Sequence, residues 1–348
     1  MPICRTFLHR SDLSFKLLRD STSYFGFNPR PCFEASSSAK TLKGDVDNLE
    51  DKIKEAAKTW DIMELLQGAR TGGTERGLSN VSHAVFQIFP PDTDKDQELR
   101  KCHFEAVSRW AFDTFLKEYE AREANEVSDF YFKLSGMRGA ESLRDHIFER
   151  QVLNHLRVID DPLEFSIRGL TNSHEMKWTY YGRTRHVTLQ ESTFSTELTK
   201  AVRNQERLHL VPLARNFSSI DSILFDPKDP KAVFTCIQIT RSMGHSIAIS
   251  GLRLIESWLK LNTPLSDLRP SEKSPWRFVF VVPSGHVDNF QIQLIVNDSR
   301  SGQKGVANWP KKVQQFVLGL EENSIFGGIS GSIFGGGSNA TSSQDGEQ

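Results

Sequence analysis

Polar side chains interrupt two apolar, strand-like stretches in "NFSSIDSILFDPKDPKAVFTCIQITRSMGH", residues 216–245. Asp221 lies in the first stretch, and Gln238 and Thr240 lie near the end of the second. Burying a carboxylate or an amide without a partner is costly, so such positions are normally apolar in a core hairpin. These residue types therefore predict a functional site.

The period of a β-strand decides which of these side chains share a face. In "AVFTCIQIT", Gln238 and Thr240 fall on one face together with Cys236. The short turn at 226–231 makes the two strands antiparallel, so Asp221 can approach the Gln238 end. Two alternatives remain open: Asp221 could bond backbone amides near a turn, and Gln238 could be a core amide with a backbone partner.

A further carboxylate lies on a predicted helix upstream, "GAESLRDHIFERQVLNHLR". Glu149 precedes Val152, Leu153 and Leu156 by helical spacing, which places it on the apolar stripe or at its solvated boundary. Two carboxylates and an amide oxygen suit Mg²⁺, with Glu149 and Asp221 as ligands and Gln238 orienting a ligand or water. Such a metal would generate a nucleophilic water for phosphodiester cleavage.

The surrounding pattern predicts an α/β (α+β) domain. A helix, the hairpin, a second helix at about 250–261, the buried strand "WRFVFVVP" and a further strand "FQIQLIV" follow one another. The region before it is predicted to be mainly helical, from "DVDNLEDKIKEAAKTWDIMELLQGAR" and "DQELRKCHFEAVSRWAFDTFLKEYEAREAN".

The composition indicates a soluble, intracellular protein of the nucleus or cytoplasm. The chain has 348 residues and a net charge of -1, so the whole molecule lacks the basic excess of many nucleic-acid binders. Between Leu210 and Leu320, however, 13 Lys and Arg stand against 8 Asp and Glu. There is no signal-peptide or membrane-spanning segment, and the four cysteines have no metal-ligand spacing. We therefore expect free thiols in a reducing compartment and no membrane partner.

Four segments, "LRDHIFERQVLNHL", "NFSSIDSILFDP", "FTCIQITRSMGHSI" and "WRFVFVVP", resemble the C-terminal effector domain of Crinkler-type proteins of fungi and oomycetes, which are related to retrotransposon-hot-spot proteins of trypanosomes. The resemblance implies a restriction-endonuclease-like mixed sheet flanked by helices over 135–320, with a nuclease site of the PD-(D/E)xK type. It also implies that Glu149 is the helix acid, Asp221 the acid of the first hairpin strand and Gln238 the acid-or-amide position. Host-directed secretion is a further implication of the resemblance alone.

Thr240 departs from that pattern, because it stands where active nucleases of this fold carry a lysine. A hydroxyl has no charge with which to stabilise a transition state. Arg241, His245 or Lys260 could replace the lysine, and we expect Arg241 and His245 to face phosphate. Two main functions therefore remain: Mg²⁺-dependent hydrolysis of DNA or RNA, and a catalytically inactive module that binds nucleic acid or protein. A degenerate product without activity is a third possibility.

The flanking regions complete the predicted organisation. Three upstream segments, "YFGFNPRPCFEAS", "IMELLQGAR" and "HAVFQIFP", resemble the closing part of the P-loop ATPase domain that precedes the nuclease-like domain in such proteins. The phosphate-binding pattern G-x-x-x-x-G-K-[ST] is missing, and "GARTGGTERG" supplies glycines only, so no nucleotide is expected. Residues 1–130 are thus predicted to be a mainly helical ATPase remnant, and the Gly/Ser-rich residues 321–348 a disordered tail.

Overall fold

The computed structural model describes residues 15–26, 32, 34–59, 61–64, 84–89, 103–122, 126–137, 139–181, 184–189, 191–212, 219–229, 233–260, 263–297, 306 and 308–326. Several predicted features lie outside these residues: the "GARTGGTERG" loop, most of the C-terminal tail, and two of the cysteines, Cys4 and Cys102. Among the described helices, none is both long and apolar enough to span a membrane.

The N-terminal part is mainly helical, as predicted. Its elements are α1 (Phe15–Phe25), α2 (Ala39–Thr59), β1 (Phe86–Phe89), β2 (His103–Ala106), α3 (Arg109–Arg122) and α4 (Glu126–Lys133). β1 and β2 form a small antiparallel pair. The residues around His103 were predicted to be helical, and that prediction is wrong because they pair with β1.

The remaining elements alternate strands and helices. In chain order they are α5 (Glu141–Val158), β3 (Leu163–Gly169), β4 (Glu175–Tyr180), β5 (Arg185–Leu189), α6 (Glu191–Asn204), β6 (Leu208–Pro212), β7 (Ser222–Phe225), β8 (Phe234–Ile239), β9 (Ile247–Ala248), α7 (Ile249–Lys260), β10 (Trp276–Pro283), β11 (Ile295–Val296), α8 (Trp309–Lys312), β12 (Val313–Leu320) and α9 (Glu322–Phe326).

A large mixed sheet flanked by helices confirms the predicted α/β class. Its strand order is β4-β3-β12-β10-β8-β7-β6-β5. β7 and β8 form the predicted antiparallel hairpin, and β10 runs parallel to both β8 and β12. Every residue of β10 is buried, as expected for a central strand covered on both faces.

The sheet curls so that its two edges approach each other. β4 and β5 are the edge strands, yet only residues 181–184 connect them. The Tyr180 hydroxyl at the end of β4 lies 3.3 Å from His209 Nδ1 on β6. The face of the sheet that carries Tyr180, Ile237 and Ile239 packs against α5. Cys236 belongs to the core on the opposite face. The face that carries α5 is called the concave face below.

The core of the concave face is continuous with the N-terminal helices. Ile53 of α2, Phe112 of α3 and Phe130 of α4 share one buried cluster with Ile147 of α5 and Ile237 of β8. The predicted boundary between residues 130 and 135 therefore falls within a continuous apolar core.

Two other predictions need correction. In "FQIQLIV" only Ile295 and Val296 pair as a strand, with β9, because the Gln293 backbone bonds the Gln315 side chain instead of a neighbouring strand. The Gln293 side chain donates to the Met243 carbonyl. The first residues of the predicted tail form α9, since Ile325 and Phe326 are buried against the core.

Candidate functional site

Asp221 lies at the entrance to β7, where it occupies a position in the hairpin ladder. The preceding Ser219 adopts a φ of 63°, and its hydroxyl accepts the Ala248 N–H at 2.8 Å, which fixes the turn into the strand. The Asp221 N–H donates to the Ile237 carbonyl at 2.9 Å, and its Oδ2 accepts the Ile239 N–H at 2.7 Å. The expectation that Asp221 could bond a backbone amide is thus confirmed.

Glu149 projects from α5 toward the same place. It lies at the boundary of the apolar stripe, with 14 % of its side chain exposed, and the Arg109 guanidinium donates to its Oε1. Burial raises the pKa of Asp221 well above its ordinary range, and the Glu149 carboxylate raises it further. Arg109 and the Ile239 N–H oppose that rise. The structure therefore brings the two predicted acids together.

Arg109 is the functional residue that the sequence reasoning missed. It begins α3, in the N-terminal part, and its Nε lies 3.6 Å from Asp113 in the next turn. Burial lowers the pKa of Arg109, but Glu149, Asp113 and Asp221 outweigh burial, so the net shift is upward. A single arginine within the apolar stretch "RWAF" was the available signal.

Gln238 is buried on the opposite side of the sheet from the core that contains Ile237 and Ile239. By strand alternation it shares the face of Cys236 and of Phe280, its neighbour on β10. Its Oε1 is buried and has no hydrogen-bond partner among the described residues. Gln238 is therefore a buried amide whose oxygen is not hydrogen-bonded to any described residue, unlike the satisfied core amide of the alternative interpretation. It also lies on the face of the sheet opposite to Glu149.

Thr240 has a local role at the end of β8. Its N–H donates to the Val281 carbonyl at 3.0 Å, and its hydroxyl accepts the Ser242 N–H at 3.0 Å. Thr240 is buried and thus stabilises the turn after the strand.

The predicted phosphate-facing residues separate after this turn. The Arg241 guanidinium lies against Tyr131 and Glu322, with its Nε 3.5 Å from a Glu322 oxygen. His245 is exposed, and its N–H donates to Gln293 Oε1 at 2.7 Å. Lys260 ends α7 and is also exposed. These three residues are the candidates to replace the catalytic lysine. Within the described part of the chain, none of them forms a hydrogen bond or an ion pair with Glu149 or Asp221.

The residues around Asp221 do not fit a divalent cation in this arrangement. Mg²⁺ needs several oxygen ligands in near-octahedral geometry. Here Glu149 is bonded to a guanidinium and one oxygen of Asp221 to a backbone amide. Across the described residues, no group of three or more His, Cys, Asp or Glu side chains is arranged to hold a metal. The cluster of Arg109, Glu149 and Asp221 thus neutralises its acids with an arginine, and we call it the acid–arginine cluster.

A second polar group lies deeper in the concave face. His209 is fully buried, and its ring is 4.8 Å from that of His186. Within the part of the chain that the structure describes, its Nε2 has no hydrogen-bond partner. Burial, with a contribution from His186 and Arg157, lowers the pKa of His209 to about 3. His209 is therefore neutral at physiological pH and contributes packing and the contact to Tyr180.

Comparison with protein-family models finds no match, and neither curated proteins nor solved structures give a significant match.

Proposed function

We propose that this chain is a Crinkler-like effector whose nuclease-like domain binds nucleic acid without hydrolysing it. The observation that carries the proposal is the ion pair between Arg109 and Glu149 beside the half-buried Asp221. A fixed guanidinium supplies the positive charge that a catalytic metal would otherwise bring to two neighbouring carboxylates. It cannot activate a water as a metal does.

The relative positions of the two acids support the resemblance. A helix acid and an acid of the first hairpin strand come from separate elements, α5 and the entrance to β7, and approach closely enough to affect one another's charge. The residue in the place of the lysine, Thr240, is tied into a turn and carries no charge. A site with this composition has the two acids of the nuclease pattern and, in place of its lysine, an uncharged threonine.

A polyanionic ligand is supported by the local charge and by arginines near the site. The stretch from Leu210 to Leu320 has five more basic than acidic residues. Arg241 lies two residues after the end of β8, whose Ile239 N–H bonds Asp221, and Arg144 lies on α5, the helix that carries Glu149. Basic side chains that neutralise the phosphates of a nucleic acid release its bound counterions, so binding weakens as the salt concentration rises.

Mg²⁺-dependent hydrolysis is the competing function, and one observation favours it. Burial raises the pKa of Asp221, and the nearby Glu149 carboxylate raises it further, so the two carboxylates repel one another when both are ionised. A divalent cation would relieve this repulsion if it displaced the guanidinium. The two functions therefore differ in whether Arg109 stays in place when substrate and metal are present.

A cleavage assay separates the two functions. Wild-type protein and Asp221→Asn are incubated with supercoiled plasmid and with single-stranded RNA in Mg²⁺, Mn²⁺ or EDTA. In parallel, binding of labelled DNA and RNA oligonucleotides is measured in the same buffers. The proposal predicts binding in every buffer and intact substrate throughout. Metal-dependent cleavage that disappears in Asp221→Asn would establish the nuclease instead, and absence of binding to DNA and RNA alike would refute nucleic-acid recognition.

A further inference from the structure

Two arginines and a tyrosine converge on one carboxylate oxygen beside the acid–arginine cluster. Tyr131 donates its hydroxyl to Glu322 Oε1. The same oxygen lies 3.8 Å from Arg144 Nη2 and 3.5 Å from Arg241 Nε. These separations exceed those of direct charge-assisted hydrogen bonds, which are about 2.7–2.9 Å. One oxygen thus faces three donors and fully satisfies only the tyrosine.

Both arginines retain donors that are not satisfied. The Nε atoms of Arg144 and Arg241 are buried and make no hydrogen bond within the described part of the chain, and Arg241 Nε has only the 3.5 Å ion pair with Glu322. Their guanidinium carbons lie 4.8 and 5.5 Å from the centre of the Tyr131 ring, which holds both groups in place by cation–π contact. A phosphate has more acceptor oxygens than a carboxylate and therefore matches such a set of donors better.

Glu322 reaches this position on a short, separate element. α9 contains only Glu322–Phe326, and it is held by Phe326, which stacks on Tyr131 with ring centres 4.1 Å apart. Burial, with the Glu322 bond next, raises the pKa of the Tyr131 hydroxyl, so Tyr131 remains a donor at neutral pH. The aromatic contact can therefore hold α9 while the carboxylate is displaced from the arginines.

Glu322 supplies part of the negative charge that faces the two arginines. Asp145 supplies another part, and it accepts the Arg241 backbone N–H. Burial raises the pKa of Asp145, Glu141 raises it further, and Arg241 and Arg144 oppose that rise. Loss of the Glu322 charge therefore makes the surroundings of Arg144 and Arg241 more positive.

We propose that Arg144, Arg241 and Tyr131 form a phosphate-binding site that the Glu322 carboxylate fills in the free protein. The assignment of its ligand as a nucleic-acid phosphate rests on the function proposed above. To bind, a phosphate of the nucleic acid must displace the Glu322 carboxylate from the two arginines. α9 therefore lowers the affinity of the free protein for nucleic acid.

The test compares wild type with Glu322→Gln, which keeps an acceptor for Tyr131 and removes the charge. We expect Glu322→Gln to bind a labelled single-stranded oligonucleotide about tenfold more tightly, which corresponds to about 1.4 kcal/mol. Adding Arg241→Gln or Arg144→Gln to Glu322→Gln should remove the gain. Glu321→Gln, which changes the adjacent exposed acid, is the matched control and should leave affinity unchanged. Melting curves verify that each variant is folded.

Inorganic phosphate provides a second probe that does not depend on nucleic-acid binding. We expect it to raise the melting temperature of Glu322→Gln more than that of wild type, and not to do so once Arg241→Gln is added. If phosphate acts in this way but no oligonucleotide binds any variant, the site stands and the nucleic-acid function fails. If the oligonucleotide binds wild type and Glu322→Gln equally, or if the gain survives Arg241→Gln, the phosphate site is refuted while nucleic-acid binding stands.

Discussion

The Arg109 guanidinium, at the start of α3, donates to the Glu149 carboxylate of α5, forty residues further along the chain. Asp221 lies close enough to affect the pKa of Arg109, so one arginine neutralises two acids from different elements. The N-terminal part therefore contributes a charged residue directly to the site that the sequence assigned to the C-terminal domain alone.

Replacing Arg109 should expose the two acids to each other. We expect Arg109→Ala to destabilise the protein by about 3 kcal/mol, since it leaves partly buried carboxylates without their cation. Millimolar Mg²⁺ should recover part of that loss in Arg109→Ala and have little effect on wild type, as measured by urea denaturation with and without the metal.

Arg150 provides the matched control for this experiment. It also links α5 to α3, through Glu120 at 2.7 Å and Asp113 at 3.7 Å, but within the described residues it does not contact Glu149 or Asp221. Arg150→Ala should therefore lose stability without recovery by Mg²⁺. Equal recovery of both variants would contradict a specific role of Arg109 in neutralising the acids.

Asp221 should make stability depend on pH in a direction unusual for an aspartate. Its folded-state pKa is raised, so the folded protein holds a proton longer than the unfolded chain, and stability is lost as pH rises above the ordinary value of 3.8. Asp221→Asn removes the ionisation and can still accept the Ile239 N–H. We expect this variant to equal or exceed wild-type stability at neutral pH and to have a flatter profile in this range. A variant much less stable than wild type at pH 7 would show that the ionised carboxylate is favourable.

His209 should produce the opposite slope in acid. Its pKa falls to about 3 in the folded state, so the unfolded chain binds the extra proton, and stability decreases as pH falls from the ordinary value of 6.5 toward 3. The slope approaches about 1.4 kcal/mol per pH unit for one proton. His209→Gln should reduce it, whereas His174→Gln, at an exposed position, should not. Denaturant titrations from pH 4 to 7 give both profiles, and an unchanged slope in His209→Gln would refute the assignment.

The sequence was sufficient for the central hairpin and for much of the sheet. Strand alternation separated Gln238 from Ile237 and Ile239 correctly, because a period of two depends only on local geometry. The approach of Glu149 to Asp221 was a hypothesis drawn from the residue types and the family resemblance, since neither the helical stripe nor the hairpin pattern gives the distance between them. The partner of these acids did not follow, since the Arg109 contact spans forty residues and depends on how α3 packs against α5.

The end of the chain shows a similar limit. Composition predicted disorder from residue 321, but Ile325 and Phe326 bury themselves against Tyr131 and its neighbours. A five-residue helix has too few residues for a periodic pattern, so only the tertiary contact reveals it. Arg241 was correctly singled out, but its neighbours Tyr131 and Glu322 are distant in sequence.

Gln238 and Gln315 offer a direct comparison of two buried amides. Gln238 Oε1 has no hydrogen-bond partner in the described ranges, whereas the Gln315 amide both donates to and accepts from the Gln293 backbone, at 2.9 Å each. Gln238→Leu should therefore be neutral or stabilising by about 1 kcal/mol, and Gln315→Leu should cost about 2 kcal/mol. Thermal or urea unfolding measures both. Strong destabilisation by Gln238→Leu would mean that its oxygen has a partner in solution.

The affinity of wild-type protein for a labelled oligonucleotide, measured by fluorescence anisotropy in EDTA and again in Mg²⁺ over a range of salt concentrations, tests the central claim most directly. Binding without metal predicts equal affinities in the two buffers and a steady decrease with salt, with intact oligonucleotide recovered afterwards. Binding that requires Mg²⁺, or recovery of cleaved oligonucleotide, would contradict the account.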